Sequence, residues 1–421
     1  MRVLYLVLLG LLWAQPSWAF LTDTNVHLEP ASPPSLPTAG STAIDPTFGT
    51  KIMRLTDSDD SSSGCINHYS NEPALNVNST MIHATCTVDQ KNRFKVWDFD
   101  AATMTRSNGR VQANRPAGLQ DYGAHWSRTS PNKFYAVGLK ALYEITIPDG
   151  SSTTWTNTVI RDFSAHFTSD NLAQMSMSAD ADVFAFHYAA DGVNTGYIVY
   201  KRSTNTILLK VSNEGPINEV EIDKTGRYLV ALKRTVSSGG DGSLHVWDLQ
   251  GTPVRTTVTN DVFNHRAMGN GFVVSNCATR RLCKRNLATP NSVTYLTPNE
   301  SWRYGDTQDN FSMTGTDNWM MSCRHTTDGQ SATVAYQNEC LEISTTGDQA
   351  VRRHVHHHAV VPNNNYALTP RGSISRDGRF ITFTSNWGNP TGRTDVYVAQ
   401  NSAAMTDNPP PQRPANLQIV H

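Results

Sequence analysis

The stretch GSISRDGRFITFTSNWG, from Gly372 to Gly388, reads as a short strand, a tight reversal and a second strand. Ser375-Arg-Asp-Gly378 supplies the reversal, because Asp tolerates and Gly readily adopts the positive φ that a hairpin turn needs. Apolar and polar residues then alternate, as a half-buried strand requires. The same grammar recurs, with Ser178-Ala-Asp180 and Asp223-Lys-Thr-Gly226 at equivalent reversals. First strands are read within Glu72–Thr87, His125–Gly138, Gln174–Tyr188, Asn218–Lys233, His265–Asn276, Asn310–Arg324 and Ser373–Asn386. Following strands carry Phe94-Lys-Val-Trp-Asp98, Leu142-Tyr-Glu-Ile145, Leu244-His-Val-Trp-Asp248 and Asp395-Val-Tyr-Val398. A unit of roughly 40–50 residues is the spacing of propeller blades, and no stretch sustains a helical period. The expected fold class is all-β, a seven-bladed β-propeller.

Working outward, TKIMRLTD (Thr50–Asp57) looks like an outermost strand, yet it precedes the first complete unit. Added to the last blade, it would join the chain ends and cover an open sheet edge. The competing reading is the first strand of a sandwich. The expected organisation is a signal peptide over 1–19, an extended segment over 20–48, the propeller over 49–403 and a Pro-rich tail over 404–421. Arg2, the apolar run Val3–Trp13 and the small residues Ser17 and Ala19 give the signal-peptide pattern, too short for the ~30 Å hydrocarbon layer. No later segment reaches a transmembrane length, so the expected location is secreted or periplasmic.

The 421 residues carry 35 Lys and Arg against 36 Asp and Glu, a net charge of −1. Such a balance provides no field for nucleic acid or an anionic membrane, so neither is an expected partner, and a monomer is expected. The six cysteines form three close couples, Cys65 with Cys86, Cys277 with Cys283 and Cys323 with Cys340. In an exported chain they read as disulfides, each within one blade, and no CxxC pair suggests a zinc ribbon. The acidic run Asp57–Gly64 lacks the Glu that closes an EF-hand loop and reads as a solvated loop rather than a calcium site.

Three stretches resemble the TolB-like and oligogalacturonate-lyase-like group of exported propellers: IMRLTD followed by HYSNEPALNVNSTMIHA, NEVEIDKTGRYLVAL, and GSISRDGRFITFTSNWG with TDVYV. They cover about a third of the propeller, and the signature is specific for a strand and hairpin rather than for an activity. TolB-type members of the group bind partners. Its lyase-type members cleave uronate polymers with a metal held by histidines.

Loops that enter inner strands line a shared mouth, so residues distant in sequence converge there. Chemistry-bearing residues at these positions are His68, Tyr69, Asn71 and Glu72; Tyr122 and His125; Asn218, Glu219 and Glu221; Asn264, His265 and Arg266; and Asp306, Asp309 and Asn310. In His354-Val-His356-His357-His358 an extended backbone would put His354, His356 and His358 on one face, a pattern suited to a divalent metal such as manganese, zinc or calcium. The competing reading is a His-rich polar loop. β-Elimination from a uronate glycan needs a neutralised carboxylate, a base for the C5 proton and an acid for the leaving oxygen. Arg266 or a metal suits the first role, His125 or His265 the second and Tyr69 the third, with His68 alongside. Each histidine has the alternative of bonding backbone at a strand start. The expectation is a metal-assisted lyase acting on an acidic polysaccharide at the mouth. Its rival is a noncatalytic propeller binding a protein or glycan ligand, for which Trp126, Trp302, Trp319 and Trp387 would serve as stacking surfaces or as packing. Asn78, Asn299 and Asn310 lie in glycosylation sequons.

Overall fold

The computed structural model describes residues 20–30, 32–120, 123–166, 171–190, 193–233, 242–259, 265–277, 281–297, 311–326 and 331–403. The expected signal peptide and tail, and Tyr122, Asn264, Asn299, Trp302, Asp306, Asp309 and Asn310, lie outside them.

Seven antiparallel sheets follow one another along the chain. Blade one spans Cys65–Val111, blade two His125–Asp162, blade three Asn171–Val211, blade four Ile217–Val258, blade five Arg266–Tyr295 and blade six Phe311–His356. Blade seven joins Ser373–Ile374, Phe380–Ser385 and Asp395–Gln400 to two strands from the N-terminal side, Lys51–Arg54 and Thr42–Ile44. The expected closing strand is therefore present, pairing Ile52 with Ala399 and Arg54 with Tyr397. An ion pair between Arg54 and Asp395 (2.7 Å) and a bond from Thr56 Oγ1 to the same carboxylate pin the seam. The strand Thr42–Ile44, inside the segment read as merely extended, adds a further layer outside it.

One side-chain device makes the recurring reversals. Ser178 Oγ accepts from the Val183 amide (2.9 Å), Asp223 Oδ1 from Tyr228 (2.7 Å) and Ser375 Oγ from Phe380 (3.0 Å). Asn76 Oδ1 does the same for Met81 (3.0 Å). A short polar side chain thus satisfies the first amide of the returning strand, which is why Ser, Asp or Asn opens these four turns, in blades one, three, four and seven. Gly226 and Gly378, both at φ +75°, complete two of them. The apolar faces of neighbouring blades pack together; Met53, Leu55, Ile82, Phe380 and Val398 form one such layer between blades seven and one. All three cysteine couples are disulfides within single blades. Cys65 lies opposite Cys86, and Cys323 opposite Cys340, in adjacent strands. Among the described residues no helix is long and apolar enough to cross a membrane.

Candidate functional site at the axial mouth

Blade one departs from the others in its inner strand. Cys65 and Ile66 pair with Cys86 and Thr85, and pairing resumes only where Leu75 meets Ile82. Residues 67–74 leave the ladder while the partner strand spends only His83 and Ala84. The expected first strand beginning at Glu72 is therefore partly an excursion. Pro73 has no amide to donate there. Asn67 anchors its start, donating to the Arg371 carbonyl at 2.5 Å and to Ser373 Oγ at 3.2 Å. The excursion carries Tyr69, Asn71 and Glu72 against residues of other blades.

Tyr69 donates to Glu219 Oε1 at 2.6 Å, and Asn71 donates to Glu221 Oε1 at 3.1 Å. Alternation along Ile217–Ile222 puts both carboxylates on one strand face, and a bulge at Asn218 sets them off from the preceding ladder. Arg266, the first residue of the inner strand of blade five, lies 3.2 Å from Glu219 Oε2 and 3.5 Å from Glu221 Oε1. Burial pushes the Glu221 carboxyl up to about 7, and neighbouring Glu219 adds to that against the pull of Arg266. Burial and then Glu219 hold the Tyr69 phenol well above its usual range, so it remains a proton donor.

Over this floor lies a ring layer. The His265 ring meets Tyr69 edge-on at 5.7 Å and stacks on Tyr366 at 5.8 Å, with Tyr366 Oη 3.1 Å from His265 Nε2. Arg371 lies 4.7 Å from the Tyr366 ring centre and donates to the Tyr366 carbonyl at 3.2 Å. Tyr69, Asn71, His265 and Tyr366 keep partial solvent exposure, whereas Arg266, Arg371, Glu219 and Glu221 are buried. Deeper in, Glu72 is held by His125 (2.8 Å), Arg376 (3.3 Å) and Arg128 (3.7 Å). Burial alone would raise its pKa, but those three partners keep its carboxyl well below the usual range.

The residues singled out in the sequence thus divide into two groups. Tyr69, His265 and Arg266 come together, although Arg266 is committed to two carboxylates rather than presented to solvent. His125 is the buried partner of Glu72. His68 is buried too, with Nε2 accepting from the Gly123 amide at 3.0 Å, and burial pushes its pKa down to about 3. Sequence reading missed Tyr366, Arg371, Arg128 and Arg376. Arg376 belongs to the Ser-x-Asp-Gly turn itself, whereas nothing in the pattern marks Tyr366.

The histidine run lies elsewhere, on the outermost strand of blade six and just beyond it. His354 Nε2 is 3.1 Å from Glu342, and His356 Nδ1 is 3.8 Å from Asp45. His358 Nδ1 is 3.5 Å from Glu29, and its φ of +52° breaks the alternation expected of an extended run. In the acidic loop, Asp60 pairs with Lys95 (2.8 Å) and Arg106 (2.5 Å). Trp126 is core, its Nε1 bonded to the Ala74 carbonyl; Trp387 packs on Tyr397, and Trp319 lies under Arg352.

No protein-family model matches the sequence, and no curated protein matches it. Among solved structures, the chain is similar to an oligogalacturonate lyase from Vibrio parahaemolyticus at 11% identity and a TM-score of 0.61, over 88% of this chain and 98% of that one. It is also similar to an oligogalacturonate lyase in complex with manganese, at 13% identity and a TM-score of 0.63, over 89% and 99%. That likeness is one of fold. His354, His356 and His358 face carboxylates of their own blade and of the N-terminal segment, and among the described residues no group of three or more His, Cys, Asp or Glu is arranged to hold a metal ion.

Proposed function

We propose that the chain is an exported glycan-active propeller that cleaves uronate-containing polysaccharides by β-elimination at the axial mouth. The observation that carries this reading is the half-exposed Tyr69–His265–Tyr366 layer resting on the buried Glu219–Arg266–Glu221 floor. His265, whose side-chain type titrates near neutrality, takes the C5 proton. Tyr69, held in place by Glu219, turns its single hydroxyl proton from that carboxylate to the leaving oxygen and protonates it. Arg371 puts a guanidinium against the Tyr366 ring, where its potential offsets the charge that develops on the uronate carboxylate. The likeness in fold to two oligogalacturonate lyases supports the substrate class without deciding it.

The test is incubation with homogalacturonan, ulvan and alginate while following the ultraviolet absorbance of unsaturated uronate ends. One of the three should give product, and His265→Ala and Tyr69→Phe should each cut the rate by about 10²-fold or more with the melting temperature unchanged. Tight binding of a glycan with no unsaturated product would instead establish the binding-propeller reading.

A further inference from the structure

On the same face as the mouth, a cleft of about 680 Å³ opens between blades one and two. One wall is the hairpin joining the second and third strands of blade one, and the other is the connection 111–119 that leads into blade two. Lys91, Arg93 and Arg115 line it against a single carboxylate, Asp89, so three cations face one anion in a chain whose overall charge is −1. Neither Lys91 nor Arg93 forms an ion pair with a described residue, and both retain solvent exposure. Elsewhere the exposed and half-buried cations of this protein are often paired, as Lys133 is with Glu144 and Arg227 with Asp248.

The cleft is also held in shape. Asp89 and Gln90 form the hairpin tip with φ of +49° and +59°, a left-handed pair normally filled by Asn and Gly. Retaining two side chains there costs backbone strain, and it fixes where Lys91 and Arg93 emerge. Opposite, Arg115 donates to the Leu119 carbonyl within the connecting segment. That segment continues inward, through the Gln120 amide bonded to Val137 and the Gly123 amide bonded to His68, to the neighbour of Tyr69. A polymer leaving the mouth toward blade two would cross these cations.

We propose that this cleft is a second, anion-recognising subsite that takes carboxylates of uronate residues outside the reacting pair. The proposal rests on the mouth being a glycan site, but not on the glycan being cleaved there. Its role is to favour long acidic chains over short or neutral ones, by charge rather than by stacking. Because Lys91 is exposed and Arg93 and Arg115 are partly so, the attraction weakens with added salt.

The test is calorimetric titration of the full chain and of the Lys91→Ala/Arg93→Ala variant with a uronate oligosaccharide and with its carboxyl-reduced, neutral counterpart. The double substitution should weaken uronate binding about tenfold, roughly 1.4 kcal/mol, and leave the neutral sugar unaffected. A Lys91→Arg/Arg93→Lys variant should bind like the parent protein, and added salt should narrow the gap between parent and alanine variant. Equal affinity of parent and alanine variant for the uronate, or no uronate binding by the parent, overturns the subsite. Failure of the lyase reading registers separately, as binding without unsaturated product.

Discussion

At the scale of the residue, the mouth is governed by how two carboxylates share one guanidinium. Arg266 cannot fully neutralise both Glu219 and Glu221, so burial leaves Glu221 titrating near 7. Its folded pKa lies above the ordinary glutamate value of 4.5. The folded state therefore holds an extra proton in that window, and this contribution to stability is present at low pH and lost as pH rises through about 7. The parent protein should accordingly lose more urea resistance than Glu221→Gln on going from about pH 5 to about pH 8. Parallel losses would place the proton elsewhere. Sequence reading put Tyr69, His265, Glu219 and Glu221 on the same short roster, because strand-start position and residue type are both visible in one dimension. It did not reveal that Arg266 would be consumed by those glutamates, nor that His68 and His125 would be buried, since partners and depth are set by how blades pack. Tyr366 carries no pattern at all, as it sits in a short 3₁₀ turn between blades.

At the scale of the element, the reversals of blades three, four and seven were legible because their chemistry is local. A Ser, Asp or Asn that bonds the amide five residues on leaves a mark in sequence, and so does the Gly or Asp that follows it. The excursion in blade one left no such mark, since what ends its ladder is Asn67 bonding across to blade seven. That excursion needs a fixed base, and the Cys65–Cys86 disulfide directly precedes it. Replacing both cysteines by Ala should destabilise the protein by about 2–5 kcal/mol, read as a lower denaturant midpoint. It should also lower activity beyond what the lost stability explains, because Tyr69 loses its footing. A stable variant with unchanged kinetics would show that the excursion is held by its hydrogen bonds alone. The histidines of blade six show the opposite limit. Their run looked like a ligand set, yet the carboxylates that face two of them, Asp45 and Glu29, come from a segment more than three hundred residues earlier.

At the scale of the whole molecule, closure is what brings blades one, four and five to a common axis. The closing strand Lys51–Arg54 buries Ile52 and Met53 and covers an edge that would otherwise be open to other chains. Met53→Asp places a charge in the layer between blades seven and one, and should cost at least about 3 kcal/mol and promote association, seen as a lower melting temperature and early elution in size exclusion. A monomer of unchanged stability would mean that the ring closes without this strand. The central claim is that the closed ring assembles a site for elimination, and heavy-oxygen water tests it most directly. When a uronate polymer is cleaved in that solvent, mass spectrometry should find new unsaturated ends and no label at the cleaved bond. Saturated products that carry the label, or a polymer bound but left intact, would contradict it.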